Sequence, residues 1–205
     1  FCGNEYLANY ARPLCSNIKI VPTTVNSDIL RPISDTESNK KPMKIGWIGT
    51  PTTYKQYIHS KIPLLKSFTE LNNCKISIMG SGESRGQFHQ SIEFLDWSES
   101  KEVQFIQSLD IGIMPLDNSP WSNGKSGYKI IQYMSCGIPV VASPVGVNKT
   151  IIENGISGFL AETDEDWHES INILLNNQNL RQKMGASGRI KVEKEYSLKV
   201  WGPKI

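Results

Sequence analysis

Short, nearly all-apolar runs alternate along this chain with segments whose apolar residues recur at helical spacing. The runs at 43–48, 74–79, 92–97, 110–116, 138–142 and 158–161 read as strands. Helices are predicted between them, at 54–71, 99–107, 127–135 and 147–154. Two more follow the last strand, at 164–176 and 179–196. In the first of the inter-strand helices Tyr57, Ile58, Ile62, Leu65 and Phe68 share a face, and Pro63 predicts a kink or interruption. Ser98 is a plausible cap for the helix at 99–107, with Val103 and Ile106 inward. Thr163 followed by Asp166 is a helix-start signature, and the acids from Glu162 to Asp166 suit the positive end of a helix. Upstream, 1–14 reads as a helix and turn, 17–21 as a short strand, and 26–42 as a polar linker.

Apolar strands separated by helices imply an α/β fold: a Rossmann-like, doubly wound parallel sheet with helices on both faces. Its ligand site belongs at the C-terminal ends of the strands, at a topological switch. Residues 43–205 form this domain, and residues 1–42 supply the N-terminal helix, the short strand and the linker. An initial Phe1 in place of Met reads as the start of a fragment or a processed chain.

Composition narrows the class. The chain of 205 residues is 39% hydrophobic and 20% charged, a globular balance. A net charge of +2 gives no basic stripe, so no nucleic-acid partner is expected. Cys2, Cys15, Cys74 and Cys136 are scattered without C-x-x-C spacing, which favours reduced, mostly buried thiols over zinc. His59, His89 and His168 follow no ligand spacing and read as packing or surface residues. No apolar run approaches the roughly 20 residues that span a bilayer. No signal peptide opens the chain, and a cytoplasmic location is expected.

Four loops fall at strand C-terminal ends: Gly49 to Thr53, Gly80 to Gly82, Asp96 to Ser98, and Asn118 to Ser126. Gly49, Thr50 and the hydroxyls after them can take a phosphate at a helix start, with Lys55 nearby, or can form a plain turn with Thr caps. Gly80 and Gly82 permit close approach, and Trp97 can lie against a base or pack on a helix. The segment Gly124-Lys125-Ser126-Gly127-Tyr128-Lys129 joins bare backbone to two lysines four residues apart. Gln132 shares that helical face and can read a neutral group, while Ile130, Ile131 and Met134 point inward. The alternative is a solvated basic face. The set points to a nucleotide or nucleotide-sugar site. A Walker loop is excluded because the upstream glycine is missing, and Gly46-x-x-Gly49 is not the G-x-G-x-x-G of a dehydrogenase.

These residues carry a resemblance. Met134-Ser135-Cys136-Gly137-Ile138-Pro139-Val140-Val141 is similar to the Met-Ala-x-Gly-x-Pro-Val-Val run of retaining GT-B glycosyltransferases of group 1, family 4. Many members carry two glutamates before that run, and Gly124 and Gln132 stand in their places here. Many also carry an Arg after the first strand with a Lys five residues on; Thr50 takes the Arg position and Lys55 keeps the Lys. Lys125 and Lys129 resemble a subgroup with Gly-Lys and a following Lys in this helix. Further matches are Ala142 to Gly146, Asn154 to Leu160, Arg181 to Gly185 and Gly3 to Ala8, so nearly the whole chain resembles the donor-binding C-terminal domain.

The resemblance implies a nucleotide diphosphate sugar donor, UDP- or GDP-linked with UDP favoured, as substrate, with no separate cofactor and no metal. It implies that Lys55, Lys125 and Lys129 hold the diphosphate, the last two supporting its departure as the catalytic pair. Gly49, Thr50, Ser126 and Gly127 belong to the same cradle, Gln132 contacts the ribose, and Gly80, Gly82 and Trp97 flank the base. It further implies transfer with retention to a glycan or lipid-linked acceptor in bacterial capsule or O-antigen synthesis. The acceptor site would lie in an N-terminal domain absent from this chain, so the chain is expected to be inactive alone. The parent enzyme would associate peripherally with the inner face of the cytoplasmic membrane. The alternative is a catalytically silent nucleotide-sugar-binding or scaffold module of the same fold.

Overall fold

The computed structural model describes residues 1–33, 42–72, 74–82 and 92–205. Six strands build one sheet: β1 (Met43–Ile48), β2 (Cys74–Met79), β3 (Ile92–Leu95), β4 (Ile111–Met114), β5 (Val140–Ala142) and β6 (Gly158–Leu160). Their order is β3-β2-β1-β4-β5-β6, and every pairing is parallel. The helices in chain order are α1 (Glu5–Ala11), α2 (Pro51–Thr53), α3 (Ile62–Leu71), α4 (Glu99–Gln107) and α5 (Pro120–Asn123). Then come α6 (Tyr128–Ser135), α7 (Asn148–Ile151), α8 (Asp164–Asn176), α9 (Gln178–Glu195) and α10 (Leu198–Trp201).

Alternation along the strands feeds two cores. Ile45, Trp47, Ile76, Ile78, Ile111 and Ile113 pack with Leu65 and Phe68 of α3 and Trp167, Ile171 and Leu174 of α8. Ile48, Met79, Met114, Val140 and Ala142 face the other way, onto Ile106 of α4 and Ile130, Tyr133 and Met134 of α6. On that second face Gly46 of β1 pairs in register with Gly112 of β4. A Cβ at Gly46 would lie 2.2 Å from Leu109, and one at Gly112 would lie 2.5 Å from the Tyr133 ring. The two glycines thus make a notch that seats Leu109 over β1 and the Tyr133 ring of α6 over β4.

Helix α9 crosses behind α6 and ties in the N-terminal segment. The Arg189 guanidinium donates to the Leu30 carbonyl at 2.6 Å, the Ser135 carbonyl at 2.7 Å and the Ser27 carbonyl at 2.8 Å. These bonds satisfy carbonyls left over at the end of α6 and in the 26–33 turn. At the start of α8 the Thr163 hydroxyl accepts the Asp166 N–H, and the Asp166 carboxylate accepts the Thr163 and Glu162 N–H groups. This is the predicted capping box, and those backbone donors hold Asp166 below the usual carboxylate range. Thr163→Ala is expected to lower the melting midpoint by about 2–4 °C, read by circular dichroism.

Several expectations need correction. No strand forms at 17–21; among the described residues Ile20 makes an isolated bridge to Cys2 and the pairing goes no further. The predicted helix at 54–71 begins earlier, at Pro51, and is not uniform. Tyr54–Ile58 is a π turn and His59–Lys61 a 3-10 turn before α3. Pro63 has no N–H for the carbonyl four residues back and crowds it, so the irregularity falls upstream of the proline. Cys15 is exposed, while Cys74 and Cys136 are buried. His168 stacks on Phe68 and His59 meets the Tyr54 ring edge, both packing roles. His89 and most of the polar linker lie outside the described residues.

Candidate functional site

The order of the strands places the topological switch between β1 and β4. β1 pairs with β2 over all six residues but with β4 only at Ile45 and Gly46. The two strands therefore part toward their C-terminal ends and open a crevice. The freed Ile48 N–H donates to the Tyr133 hydroxyl of α6 at 3.2 Å, so α6 closes the floor of that crevice.

Glycines let the surrounding loops converge. The Gly49 N–H donates to Met79 and the Gly80 N–H to Leu95, carrying the ladder just past the strands. Gly80 has φ +81°, and a Cβ there would stand 2.1 Å from the Gly49 carbonyl and 3.4 Å from Trp97. Gly82, at φ +74°, would meet Pro51 at 2.9 Å. Three of the four predicted loops thus touch. Thr50 caps α2 through a mutual box with Thr53, and Pro51 has no N–H. Most of the donors expected for phosphate at this turn are already used.

The fourth loop brings the lysines. Gly127, at φ +70°, precedes α6 and offers no side-chain cap, so the first N–H groups of α6 are left open. A Cβ at Gly127 would strike Ile151 at 2.2 Å. Lys129, in the first turn of α6, lies over the Trp47 ring with Nζ 5.6 Å from its centroid. Lys125 sits in the loop before the helix, as expected, over Tyr57 at 5.2 Å and Trp121 at 5.6 Å. Burial, and then the Lys125 charge, push the Lys129 ammonium down to about 8. Burial also lowers Lys125, against the opposing pull of Asp117. Hydroxyl donors from Ser119 and Ser122 hold the Asp117 carboxyl down to about 2. Ser122 also hydrogen-bonds the Tyr57 hydroxyl at 2.9 Å, which fixes the aromatic floor beneath Lys125.

A cavity of about 500 Å³ opens over this pair, lined by Tyr6, Leu7, Trp121, Ser126, Tyr128 and both lysines. Its N-terminal wall is held by Asn4, whose amide donates to the carbonyls of Gly124 at 3.1 Å and Lys125 at 3.2 Å. Lys55 is exposed in the π turn, and no described contact joins it to the other lysines.

Gln132 departs most from expectation. It is 2% exposed, and its amide donates to the Glu102 carboxylate of α4. The other Glu102 oxygen accepts the Trp97 indole N–H at 2.7 Å. Trp97 is 52% exposed and neither buried against a helix nor free of partners. Glu102, Trp121 and Trp47 were not singled out from the sequence, and Tyr57 only as an apolar helix-face position. Only contacts between distant segments bring them in, although an acid in the first turn of a helix opening at the site was a usable signal. Among the described residues no group of three His, Cys, Asp or Glu side chains gathers as a metal site.

Two partly desolvated cations beside open N–H groups can hold an anionic ligand, phosphate above all. The fold and this crevice define a Rossmann-like lobe of the GT-B type. HepE from Anabaena, solved with UDP-glucose, superposes with a TM-score of 0.79 at 15% identity, over 99% of this chain and 61% of its own. The C-terminal domain of the group 1 glycosyl transferase LpcC from Francisella tularensis superposes with a TM-score of 0.63 at 16% identity, over 85% of this chain and 99% of its own. The chain belongs to the glycosyl transferases group 1, whose family model matches residues 43–177. The capsular polysaccharide biosynthesis glycosyltransferase CapM of Staphylococcus aureus is 27% identical over 165 residues, which are 76% of this chain and 43% of that protein. The chain thus spans less than half the length of that relative.

Proposed function

We propose that this chain is the donor-binding half of a retaining glycosyltransferase that uses a UDP-linked sugar. The observation that carries this reading is the Lys125–Lys129 pair, crowded and partly buried at an uncapped helix start. Two cations held this way repel each other and lose hydration, and an anionic ligand relieves both costs. A diphosphate leaving group gathers negative charge as the glycosidic bond breaks. Lys125, Lys129 and the α6 N–H groups lie where they can stabilise that charge without a metal. Ser126 lies on the phosphate side, the Gly49–Thr50 turn bounds it with its own donors mostly spent on the α2 cap, Lys55 can reach it only by moving its exposed side chain, and Gly80, Gly82 and Trp97 form the base side.

The acceptor is a glycan or a lipid-linked saccharide held by an N-terminal domain of the whole protein, in bacterial capsule or O-antigen synthesis. The name of the S. aureus relative supports the capsule setting. No helix among the described residues is long and apolar enough to cross a membrane. The proposed site of action is cytoplasmic, at the inner membrane face. A second reading, a silent binding module, is favoured by one observation: Gly124 has no side chain and the Gln132 amide is spent on Glu102.

Titration calorimetry of the chain with UDP, GDP and ADP tests the first reading. UDP is expected to bind and the other two to bind more weakly. Absence of binding by all three rejects a donor site in this chain. Incubation with UDP-glucose is expected to release no UDP above buffer. Transfer by the full-length protein then separates the enzyme from the silent module.

A further inference from the structure

Glu102 is a partly buried carboxylate without a cationic partner among the described residues. A carboxylate in such a place is costly unless donors surround it. Two neutral donors hold it, the Trp97 indole on one oxygen and the Gln132 amide on the other. An ionised carboxylate has about four lone-pair positions, so acceptor capacity remains on both oxygens. Glu102 also faces Tyr128, whose phenol is raised first by burial and then by the Glu102 charge. Tyr128 in turn lines the cavity over the lysines.

Gln132 lies three residues beyond Lys129 on α6, with Cβ atoms roughly 5–6 Å apart, so the residue that holds the Glu102 carboxylate is one helical turn from the cationic end of the site. Phosphate is excluded from the Glu102 end by charge. What suits that end is a pair of hydroxyl donors on a group attached to the phosphate. Trp97, half exposed on the far side of Glu102, presents an aromatic surface for a base. The contacts run from the Trp97 ring to the Glu102 carboxylate to Gln132, one helical turn from Lys129, a succession that suits base, ribose and phosphate.

We infer that Glu102, supplied by α4 and positioned by Trp97 and Gln132, accepts hydrogen bonds from the 2′ and 3′ hydroxyls of the donor's ribose and selects ribonucleotides. This rests on the nucleotide-sugar reading above. Gln132 is then a positioning residue rather than the ribose contact that the family resemblance implies.

The test is calorimetry with UDP, 2′,3′-dideoxy-UDP and inorganic pyrophosphate; if GDP is the diphosphate that binds, the guanosine pair replaces the uridine pair. The wild-type chain is expected to prefer UDP over the dideoxy analogue by about tenfold or more. Glu102→Gln keeps the size of the side chain, and Gln132 can turn its carbonyl toward the new amide. In this variant the preference is expected to shrink to within about threefold. Pyrophosphate affinity should stay unchanged. Equal binding of the two nucleotides by the wild type, or an undiminished preference in the variant, overturns the inference while leaving the nucleotide reading in place. Failure of the wild type to bind any nucleoside diphosphate overturns both. The wild-type comparison needs no variant, so it decides even if Glu102→Gln does not fold.

Discussion

Lys129→Met is expected to weaken nucleoside diphosphate binding by roughly 10- to 100-fold and, at the same time, to make the unliganded chain more stable. The two effects share one cause. The Lys129 ammonium lies over Trp47, close to Lys125, and burial with that neighbouring charge holds it at about 8. Folding therefore places a proton where water would hold it better. An uncharged side chain of similar length keeps the contact with Trp47 and removes the cost, for a gain on the order of 1–2 kcal/mol after allowing for the open side of the site. Calorimetry and thermal melts on the same samples check both. A loss of affinity accompanied by a loss of stability would mean that Lys129 is there for packing.

The sign of the pH dependence follows. The folded value lies below the ordinary lysine value of 10.5, so between about 8 and 10.5 the unfolded chain holds the proton that the folded chain has released. The cost of Lys129 is fully present below about pH 8 and fades as pH rises toward 10.5. Diphosphate binding runs the other way and declines above about pH 8, as the ammonium loses its charge. In Lys129→Met both pH trends should flatten.

The largest effect on stability is expected at Gly185→Ala, well away from the ligand. A Cβ on Gly185 would stand 1.9 Å from the Gly137 carbonyl oxygen and 2.8 Å from its carbon. Both are backbone atoms, so the only relief is for α9 to lift off the turn after α6. Alanine's better helix propensity, worth about 1 kcal/mol, does not offset this. A net loss of about 2–4 kcal/mol is expected, a fall of about 5–15 °C in the melting midpoint. Gly188→Ala is the control three residues on. Its Cβ would meet only the Met134 side chain, at 3.0 Å, and methionine can yield. Equal melting curves for the two variants would refute the backbone-contact account.

The parallel sheet was legible because its strands are buried on both faces and read as unbroken apolar runs. β1, β2, α4 and α8 fall at their predicted limits, and the other strands shorten by a few residues where the ladder ends before the apolar run does. The gathering of Gly49, Gly80 and Trp97 was legible for the same reason, since strand ends in a parallel sheet share an edge. The lysine pair was found from its spacing, yet its geometry was not. Helical register puts Lys125 and Lys129 on one face, whereas the aromatic rings of Tyr57, Trp121 and Trp47 actually seat them. Gln132 was misread because its partner sits 30 residues away on α4, and no local pattern announces that bond. The segment at 17–21 was misread as a strand because its apolar run pairs, among the described residues, through the isolated bridge of Ile20 to Cys2.

The two bonds from Asn4 to the loop carbonyls have a kinetic consequence. They close a stretch of 120 residues onto Gly124 and 121 onto Lys125. Contacts of such separation raise the mean sequence distance of the native contacts, which slows folding as a whole. None of the six strands includes Asn4, so the sheet's own ladder does not fasten the lysine-bearing loop; its two carbonyls are tied down only once the first helix is docked.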